Sequence, residues 1–310
     1  MSPPKFLTIP LVNLLLIASL FAPREVSADI TIDGFTPESN DRFTNSGQFI
    51  ASGYDLSGIG QTSIGQWATL ISPNVVVSAF HFIPGNPIVF HSNNNPGSPS
   101  FSYSVINSAR IGGNSDIWIA QLNSPVDPLI TPFQIATEIL SGLSPNPNIR
   151  ITPAGVHQDV IGFMVGRSPV QQDAMQDQAF GQNRISGYAQ DVAFNGGIAN
   201  ALALFNDAPA NSNFVPFEAL VRAGDSGAPF LVPSSLTSLR LFGINSFQFT
   251  DVNNLPIASG ISYLGNSAQE IQTFISVSAV PEPSTCGLLV VAIGVFLLRK
   301  RLKKATVSIP

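Results

Sequence analysis

Residues 223 to 230 read AGDSGAPF, a short segment in which Ser226 lies between an aspartate and a glycine. Such a serine is either an ordinary turn residue or a nucleophile held by an unusual backbone. A serine hydroxyl is a poor nucleophile near neutral pH, so a reactive serine needs a base within hydrogen-bond reach and donors that stabilise an oxyanion. The pattern GDSG alone is a weak signal. A role for Ser226 therefore depends on what the rest of the chain supplies.

Three histidines are available as the base: His81, His91 and His157. His81 directly follows the apolar stretch NVVVSAF, so its ring is expected at the end of a buried strand, where it can be held in one orientation. The alternative for His81 is a satisfied interior histidine. His91 precedes SNNNPGSPS and His157 follows TPAG, so both are expected to face solvent. His81 is therefore the first choice as a base.

Four segments resemble those of trypsin-like (chymotrypsin-fold) serine proteases, in the order found in that family. They are QWATLISPNVVVSAFHF (66–82), NSDIWIAQL (114–122), AGDSGAPF (223–230) and RLFGINSF (240–247). The resemblance spans most of residues 45 to 277. It implies that His81 is the general base, that Asp116 holds the imidazole tautomer and that Ser226 is the nucleophile. It also implies an oxyanion hole made by the backbone N–H groups of Gly224 and Ser226.

The same resemblance assigns three residues to substrate binding. Leu220, six residues before the nucleophile, is expected at the base of the primary pocket, while Ser246 and Phe247 are expected to line the cleft. An acid at the base would select Arg or Lys, so leucine predicts apolar or small side chains at the cleavage position. Glu218 is the alternative residue at this place if the alignment is shifted by two positions.

Activation is a separate question, because this family commonly pairs a freed N-terminal amine with the aspartate before the nucleophile. That aspartate is present as Asp225. Removal of a signal peptide would expose Asp29 and Ile30, and no Arg-Ile-Val-Gly sequence follows them. Either a second cleavage occurs near residues 43 to 53, or the nucleophile loop is ordered in some other way.

Composition favours an all-β fold. The 310 residues are 44% hydrophobic, and 25 Gly and 25 Pro separate short apolar runs, which is typical of many strands joined by turns. Strands are predicted at 66–72, 74–80, 116–122, 228–232 and 240–247. The resemblance implies two six-stranded antiparallel β-barrels of the chymotrypsin type, at about 45–140 and 149–265, within one domain of residues 29 to 279. The segment SGLSPNPN (141–148) is the candidate linker between them.

The last element of the body is predicted to be a helix. NSAQEIQTFISV (266–277) offers Asn266 or Ser267 as a cap and places Ile271, Phe274 and Ile275 on one face. We expect this face to pack against the second half of the chain, and we expect this helix to be the only one.

Charge and cysteine content exclude several classes of function. Once residues 1–28 and the C-terminal tail are set aside, seven arginines, no lysine and 17 acidic residues remain, a net charge of about −10, which argues against nucleic-acid binding. The single cysteine, Cys286, excludes an intrachain disulfide. One cysteine and three scattered histidines also lack the spacing of a metal site, and no cofactor is predicted.

Both ends of the chain resemble targeting segments. Residues 1–28 form a secretory signal with cleavage expected after Ala28, the alternative being an N-terminal membrane anchor.

The tail, residues 280–304, resembles the PEP-CTERM sorting signal of bacterial surface proteins, with Pro281-Glu282-Pro283 before an apolar run and a basic cluster. This implies an exosortase-type processing enzyme as partner, contact with the membrane before processing, and release to the cell surface, outer envelope or extracellular matrix of a bacterium. A permanent single-span anchor is the alternative, although the run of 14 apolar residues is short for a span.

The sequence therefore predicts a secreted serine endopeptidase that hydrolyses a polypeptide substrate through an acyl-enzyme. The alternative is a catalytically inactive surface or matrix binding protein that keeps the protease fold. An esterase of the α/β-hydrolase type is excluded, because the pattern G-x-S-x-G is absent around Ser226 and the aspartate precedes the serine.

Overall fold

A computed structural model describes residues 29–141, 152–170, 173–194 and 197–278. The predicted signal segment and sorting segment lie outside these residues, as does all of the candidate linker except Ser141. In the described part of the chain, no helix is both long enough and apolar enough to cross a membrane.

Seventeen strands and two α-helices form this part of the protein, numbered here in chain order. The strands are β1 (Thr31–Ile32), β2 (Ile59–Gln61), β3 (Trp67–Ser72), β4 (Val75–Ala79), β5 (Ile88–His91), β6 (Ser100–Tyr103), β7 (Val105–Arg110), β8 (Ile117–Leu122), β9 (Gln134–Ile135), β10 (Ile161–Gly166), β11 (Ala179–Arg184), β12 (Gly187–Phe194), β13 (Gly197–Phe205), β14 (Ala219–Leu220), β15 (Pro229–Pro233), β16 (Leu239–Thr250) and β17 (Pro256–Tyr263). The helices are α1 (Pro37–Asn40) and α2 (Ala268–Ser278).

Strands β2 to β8 form the first sheet, in the order β6-β5-β2-β3-β4-β8-β7, and every neighbouring pair is antiparallel. The β-branched and aromatic residues of β3 and β4 are buried along their whole length. Central strands covered on both faces read as continuous apolar runs, which explains why these segments were easy to predict.

The second sheet has the order β11-β10-β15-β16-β17-β13-β12, with β9 added in parallel to β16. All other pairs in this sheet are antiparallel. The long strand β16 carries register shifts against both neighbours, and such bulges bend a strand and increase its twist. The molecule is thus mostly β, with two curled antiparallel sheets and a C-terminal helix, and the predicted all-β fold class is confirmed. The described residues give seven and eight strands where six per barrel were expected.

One apolar cluster joins the two sheets. It contains Val77 and Ile119 from the first sheet, Val165 and Ile244 from the second, and Ile271 from α2. Each sheet also has a cluster of its own. Since the shared cluster packs the inner faces together, the positions of β4, β8 and the loop before β15 are fixed relative to one another.

The helix α2 was predicted, but its N-terminal cap and the segments to which it hydrogen-bonds differ from the prediction. Ile271 is buried and Phe274 and Ile275 pack against the shared cluster, as expected. The Asn266 side chain does not cap the helix, because it exchanges hydrogen bonds with the backbone of Leu140. The polar contacts of α2 are with the first half of the chain, since the side-chain amides of Asn74 and Gln121 donate to the carbonyl of its last residue, Ser278. The short helix α1 was not predicted.

The expectation that His91 and His157 face solvent is wrong, because both are buried. His91 ends β5 and packs edge-on against Phe43, in the N-terminal segment that folds over it. His157 lies against Phe242 and bonds the hydroxyl of Tyr263 through Nε2 at 3.0 Å. Burial lowers the pKa of both rings. The segments that cover them are distant in sequence, so local composition gave no sign of burial.

Candidate active site

The ring of His81 contacts a carboxylate on one side and a hydroxyl on the other. Its Nδ1 lies 2.9 Å from both Oδ1 and Oδ2 of Asp116, and its Nε2 lies 2.9 Å from Oγ of Ser226. Because an ionised carboxylate only accepts, Nδ1 carries the proton, and Nε2 is left to accept from the Ser226 hydroxyl. The structure brings together the three residues predicted to form a triad, and the catalytic role of each stays a prediction.

Strand pairing fixes the base and the carboxylate together. The backbone N–H of Phe80 donates to the carbonyl of Asp116 at 3.1 Å, where β4 meets β8. The backbone N–H of His81 then donates to Asp116 Oδ1 at 2.9 Å. The Asp116 side chain is fully buried while that of His81 is 27% exposed, so the carboxylate holds the ring from inside the protein. A buried carboxylate is tolerated when it is hydrogen-bonded in this way.

Ser226 is presented by a loop that depends on two glycines with positive φ, Gly224 at 94° and Gly227 at 87°. A Cβ atom at residue 227 would collide with the hydroxyl of Ser78 in β4, so only glycine allows this close approach of the two sheets. The indole Nε1 of Trp67 in β3 donates to the carbonyl of Gly224 at 3.2 Å. The first sheet therefore contacts the nucleophile loop on both sides of Ser226.

Asp225 is completely buried beneath this loop. Its carboxylate accepts the backbone N–H of Arg167 at 2.8 Å and that of Arg222 at 2.7 Å. Burial raises the pKa of Asp225 well above its usual value, and the carboxylates of Asp177 and Asp29 raise it further. These two backbone N–H groups bind the Asp225 carboxylate beneath the nucleophile loop, and both alternatives for activation stay predictions.

The N-terminal segment nevertheless lies close to Asp225. The Ile30 N–H donates to the Arg167 carbonyl, and a Cβ atom on Gly166 would meet both Ile30 and the Asp225 carboxylate. Strand β1 then pairs with β14, just before the nucleophile loop. Residues 29 to 32 thus pack beside this loop, although they lie outside residues 45 to 277, which the family resemblance covers.

The predicted oxyanion donors are the amides of Gly224 and Ser226. Within the described residues, neither N–H donates to an acceptor of the protein. Neighbouring amides in the same loop are engaged, since Asp225 donates to Arg222 and Gly227 donates to Asn245. Two unengaged donors next to a serine hydroxyl are what stabilisation of an oxyanion requires.

A cavity of about 230 Å³ opens beside Ser226. It is lined by Val221, Arg222, Ala223, Ser226, Asn245, Ser246, Phe247 and Gln248, among which there is no carboxylate. The side-chain amide of Gln248 donates to the Val221 carbonyl at 2.5 Å, so this side chain links two walls of the cavity. Ser246 and Phe247 line the cavity as the sequence predicted.

Leu220 does not line this cavity, and the expectation that it forms the base is corrected. It belongs to β14, where it pairs with Thr31, and Val221 takes the lining position. Glu218 is not at the cavity either, because its buried carboxylate accepts the backbone N–H groups of Asp207 and Val215. The hydroxyl of Ser246 donates to the Ile244 carbonyl and shares a hydrogen bond with the hydroxyl of Ser262.

Sequence reasoning missed Phe194, which contacts the site from β12. Its ring is perpendicular to that of His81 at a centroid distance of 5.7 Å and stacks on Phe247 at 4.9 Å. The sequence Asn195-Gly196 between two apolar runs is typical of a hairpin turn, so the hairpin was detectable. Nothing in the sequence indicated that its end reaches His81.

In the described part of the chain, no three His, Cys, Asp or Glu side chains cluster as they would around a metal ion. The hydrogen-bonded groups at the cavity suit proton transfer and nucleophilic attack by Ser226, for which the chain itself carries the base, the carboxylate and the amide donors.

Comparison with known proteins gave structural similarity alone. No protein-family model and no curated protein sequence matches the chain. Among solved structures, a double mutant of human heparin binding protein has a TM-score of 0.46 at 13% identity, covering 74% of this chain and 95% of that one. An atomic-resolution structure of the same protein has a TM-score of 0.45 at 12% identity, covering 73% of this chain and 92% of that one.

Proposed function

We propose that the protein is a serine endopeptidase that hydrolyses peptide bonds through Ser226, His81 and Asp116. The single observation that supports this most is the imidazole of His81, which lies 2.9 Å from the Ser226 hydroxyl and 2.9 Å from the Asp116 carboxylate through its two different nitrogens. A histidine held in this way has one nitrogen fixed as donor and the other free to take the serine proton.

In the proposed mechanism, Ser226 Oγ attacks the carbonyl carbon of the scissile peptide while His81 Nε2 takes its proton. The amides of Gly224 and Ser226 donate to the oxyanion of the tetrahedral intermediate. His81 then gives the proton to the leaving amine, and the buried Asp116 stabilises the imidazolium formed between these two steps. Water, activated by the same nitrogen, releases the acyl group from Ser226. No cofactor is needed for any of these steps.

The substrate is a polypeptide with an apolar or small side chain before the scissile bond. The cavity beside Ser226 supports this, because it is small and has no carboxylate among its lining residues, and the Gln248 side chain narrows it. A long cationic side chain would find no counter-charge there, and burial of an unpaired charge is unfavourable.

We further propose that the protein is exported and sorted to the cell surface, outer envelope or extracellular matrix. The sequences of residues 1–28 and 280–304 support this proposal, with an exosortase-type enzyme as the processing partner.

Reaction with a fluorophosphonate probe tests the proposed chemistry directly. The wild-type protein is expected to be labelled at Ser226, and Ser226→Ala and His81→Ala are expected to abolish labelling while circular dichroism and the melting temperature stay close to wild type. Ser108→Ala, in β7 of the first sheet, is the control and should label normally, since that residue is exposed and away from the site. A folded wild-type protein that neither reacts with the probe nor cleaves any peptide in a broad panel would reject the enzyme and favour an inactive binding protein.

A further inference from the structure

The hairpin formed by β12 and β13 extends beyond the sheet to which it belongs. Strand β17 pairs with β13 only from Ala201 to Phe205, while β12 continues to pair with β13 as far as Phe194 and Gly197. Residues 192–194 and 197–200 therefore form a two-stranded extension, called here the hairpin extension. A two-stranded ribbon has little stability alone, so its position must be fixed by contacts made at its end.

A bulge directs this extension. The register between β12 and β13 shifts between Ala189 and Val192, and Asp191 in the bulge has a positive φ of 52°. The N–H of Asp191 is satisfied by the side-chain oxygen of Asn200 across the ribbon. Because a bulge bends a strand and increases its twist, it accounts for a change of direction at the point where the hairpin leaves its own sheet.

The end of the extension makes backbone hydrogen bonds to the loop that precedes β8. The Ile198 N–H donates to the Asn114 carbonyl at 3.0 Å, and the Asp116 N–H donates to the Ile198 carbonyl at 3.2 Å. Gly197 permits this approach, since a Cβ atom there would collide with the Asn114 carbonyl and the Arg110 guanidinium. A strand of the second sheet thus hydrogen-bonds the backbone of Asp116, the residue that carries the buried carboxylate.

The same extension carries Phe194 against the imidazole. Hydrogen bonds at Nδ1 and Nε2 fix the His81 ring within its own plane, but they resist tilting of the ring only weakly. Phe194 lies perpendicular to that ring at 5.7 Å and is itself held by stacking on Phe247. A packed aromatic at this place limits the tilt and covers part of a ring that is otherwise exposed to solvent.

We propose that the hairpin extension positions the His81–Asp116 pair relative to Ser226, with Phe194 as a positioning residue for the base. The inference depends on the proposed function, because it assigns Phe194 a part in proton transfer without contact to the reacting atoms. The hairpin extension belongs to the second sheet, whose strand β15 follows the Ser226 loop, and it contacts His81 and the backbone of Asp116 beside the first sheet. These contacts keep the base at a fixed distance from the nucleophile when one sheet moves relative to the other.

Phe194→Ala is the main test, with Phe194→Tyr as the conservative variant and Phe205→Ala as the matched control. Phe205 lies at the far end of β13 and packs against the apolar cluster that also supports Phe247, the stacking partner of Phe194, but Phe205 does not contact His81. We expect Phe194→Ala to lower kcat and the rate of fluorophosphonate labelling about 10- to 100-fold with KM changed less than threefold, since small displacements of a catalytic group have effects of this size. Phe194→Tyr should restore most of the rate, and Phe205→Ala should affect the melting temperature alone.

A readout independent of turnover is the proton on His81 Nδ1, followed by NMR. In the wild type and Phe205→Ala, this proton should give a low-field resonance protected from exchange, and in Phe194→Ala it should broaden or vanish. If Phe194→Ala keeps both the resonance and the labelling rate, the positioning role is overturned. If the resonance depends on Phe194 but the wild-type protein has no activity, the positioning role stands and the proposed endopeptidase function fails.

Discussion

The two halves of the candidate site are held by different kinds of interaction. In the first sheet, the Asp116 side chain holds the base: its carboxylate bonds both the ring and the backbone N–H of His81, between the end of the buried strand β4 and the start of the buried strand β8. In the second sheet, the backbone does it: Ser226 lies between glycines with positive φ, above the buried Asp225 carboxylate and its two amide donors. One half therefore depends on the chemistry of its residues, and the other depends on the shape of its main chain.

This difference predicts that the two halves fail in different ways. Isosteric changes in the first half should remove activity and leave the fold intact, because they alter which ring nitrogen of His81 carries the proton and leave the packing unchanged. Small additions of volume in the second half should disturb the fold and the activity together, because the sheets are in close contact there.

The largest effect is expected for Asp116→Asn. The asparagine amide would donate to Nδ1 of His81 and favour the tautomer with the proton on Nε2, which can no longer accept from Ser226. We expect kcat/KM for a peptide to fall about 10⁴-fold. The melting temperature should change little, and Asp33→Asn, at an exposed site, is the control. Retention of activity within tenfold of wild type would contradict a role for this carboxylate.

Gly227→Ala should show the opposite pattern, with a loss of stability accompanying the loss of activity. The new Cβ would meet the Ser78 hydroxyl, and the residue would keep a φ of 87°. We expect fluorophosphonate labelling to slow about 100-fold, as displacement of a catalytic group by about 1 Å would cause. A lower melting temperature should accompany this loss.

Gly34→Ala separates the two causes, because Gly34 also has a positive φ but has open space around it. That variant should lose only the roughly 1 kcal/mol that a left-handed conformation costs a residue with a side chain. Adding Ser78→Ala to Gly227→Ala should recover part of the activity. Equal behaviour of the two glycine variants would show that close approach of the sheets is unimportant.

Gln248→Gly is expected to change selectivity and not the chemical step. Removal of the side chain that bonds Val221 should enlarge the cavity beside Ser226. Peptides with Leu or Phe before the scissile bond should then gain about tenfold in kcat/KM relative to peptides with Ala, the range expected when a pocket admits additional methylene groups. Gln248→Met keeps the length without the hydrogen bond and should retain the wild-type preference. An unchanged preference in Gln248→Gly would show that another residue limits the cavity.

The smallest effect concerns Asp41, in the N-terminal segment, whose backbone bridges to Ala179 of β11 in the second sheet. Burial raises the pKa of Asp41 to about 6, the hydrogen bond to Ser168 lowers it, and the nearby Asp177 and Glu38 raise it. The folded protein therefore binds this proton more tightly than the unfolded chain. The resulting stabilisation is present below about pH 4 and is lost as pH rises towards about 6.

Asp41→Asn resembles the protonated residue, so its stability relative to wild type should increase across that pH interval. At pH 7 the gain should be on the order of 1–2 kcal/mol at most. Urea unfolding between pH 4 and 8 measures this difference. A difference independent of pH would mean that the Asp41 carboxyl does not titrate as described.

Much of the first half could be predicted because its signals are local. The strands β3, β4 and β8 are continuous apolar runs, and His81 and Asp116 lie at their ends. The second half was predicted less completely. Leu220 was expected at the cavity and lies outside it, because β14 pairs with the N-terminal strand β1 instead of facing the cleft. That pairing joins residues nearly 190 positions apart, and no local pattern encodes it.

By itself, the sequence determined the all-β class, the order of a histidine, an aspartate and a serine along the chain, and the glycines around Ser226. Each of these is a property of residue type and short-range pattern. Only the tertiary structure decided that Gly227 touches Ser78, that backbone amides satisfy Asp225, and that Phe194 reaches His81. These contacts join residues far apart in the chain, and they depend on how two sheets pack and where one strand bulges, which no single segment specifies.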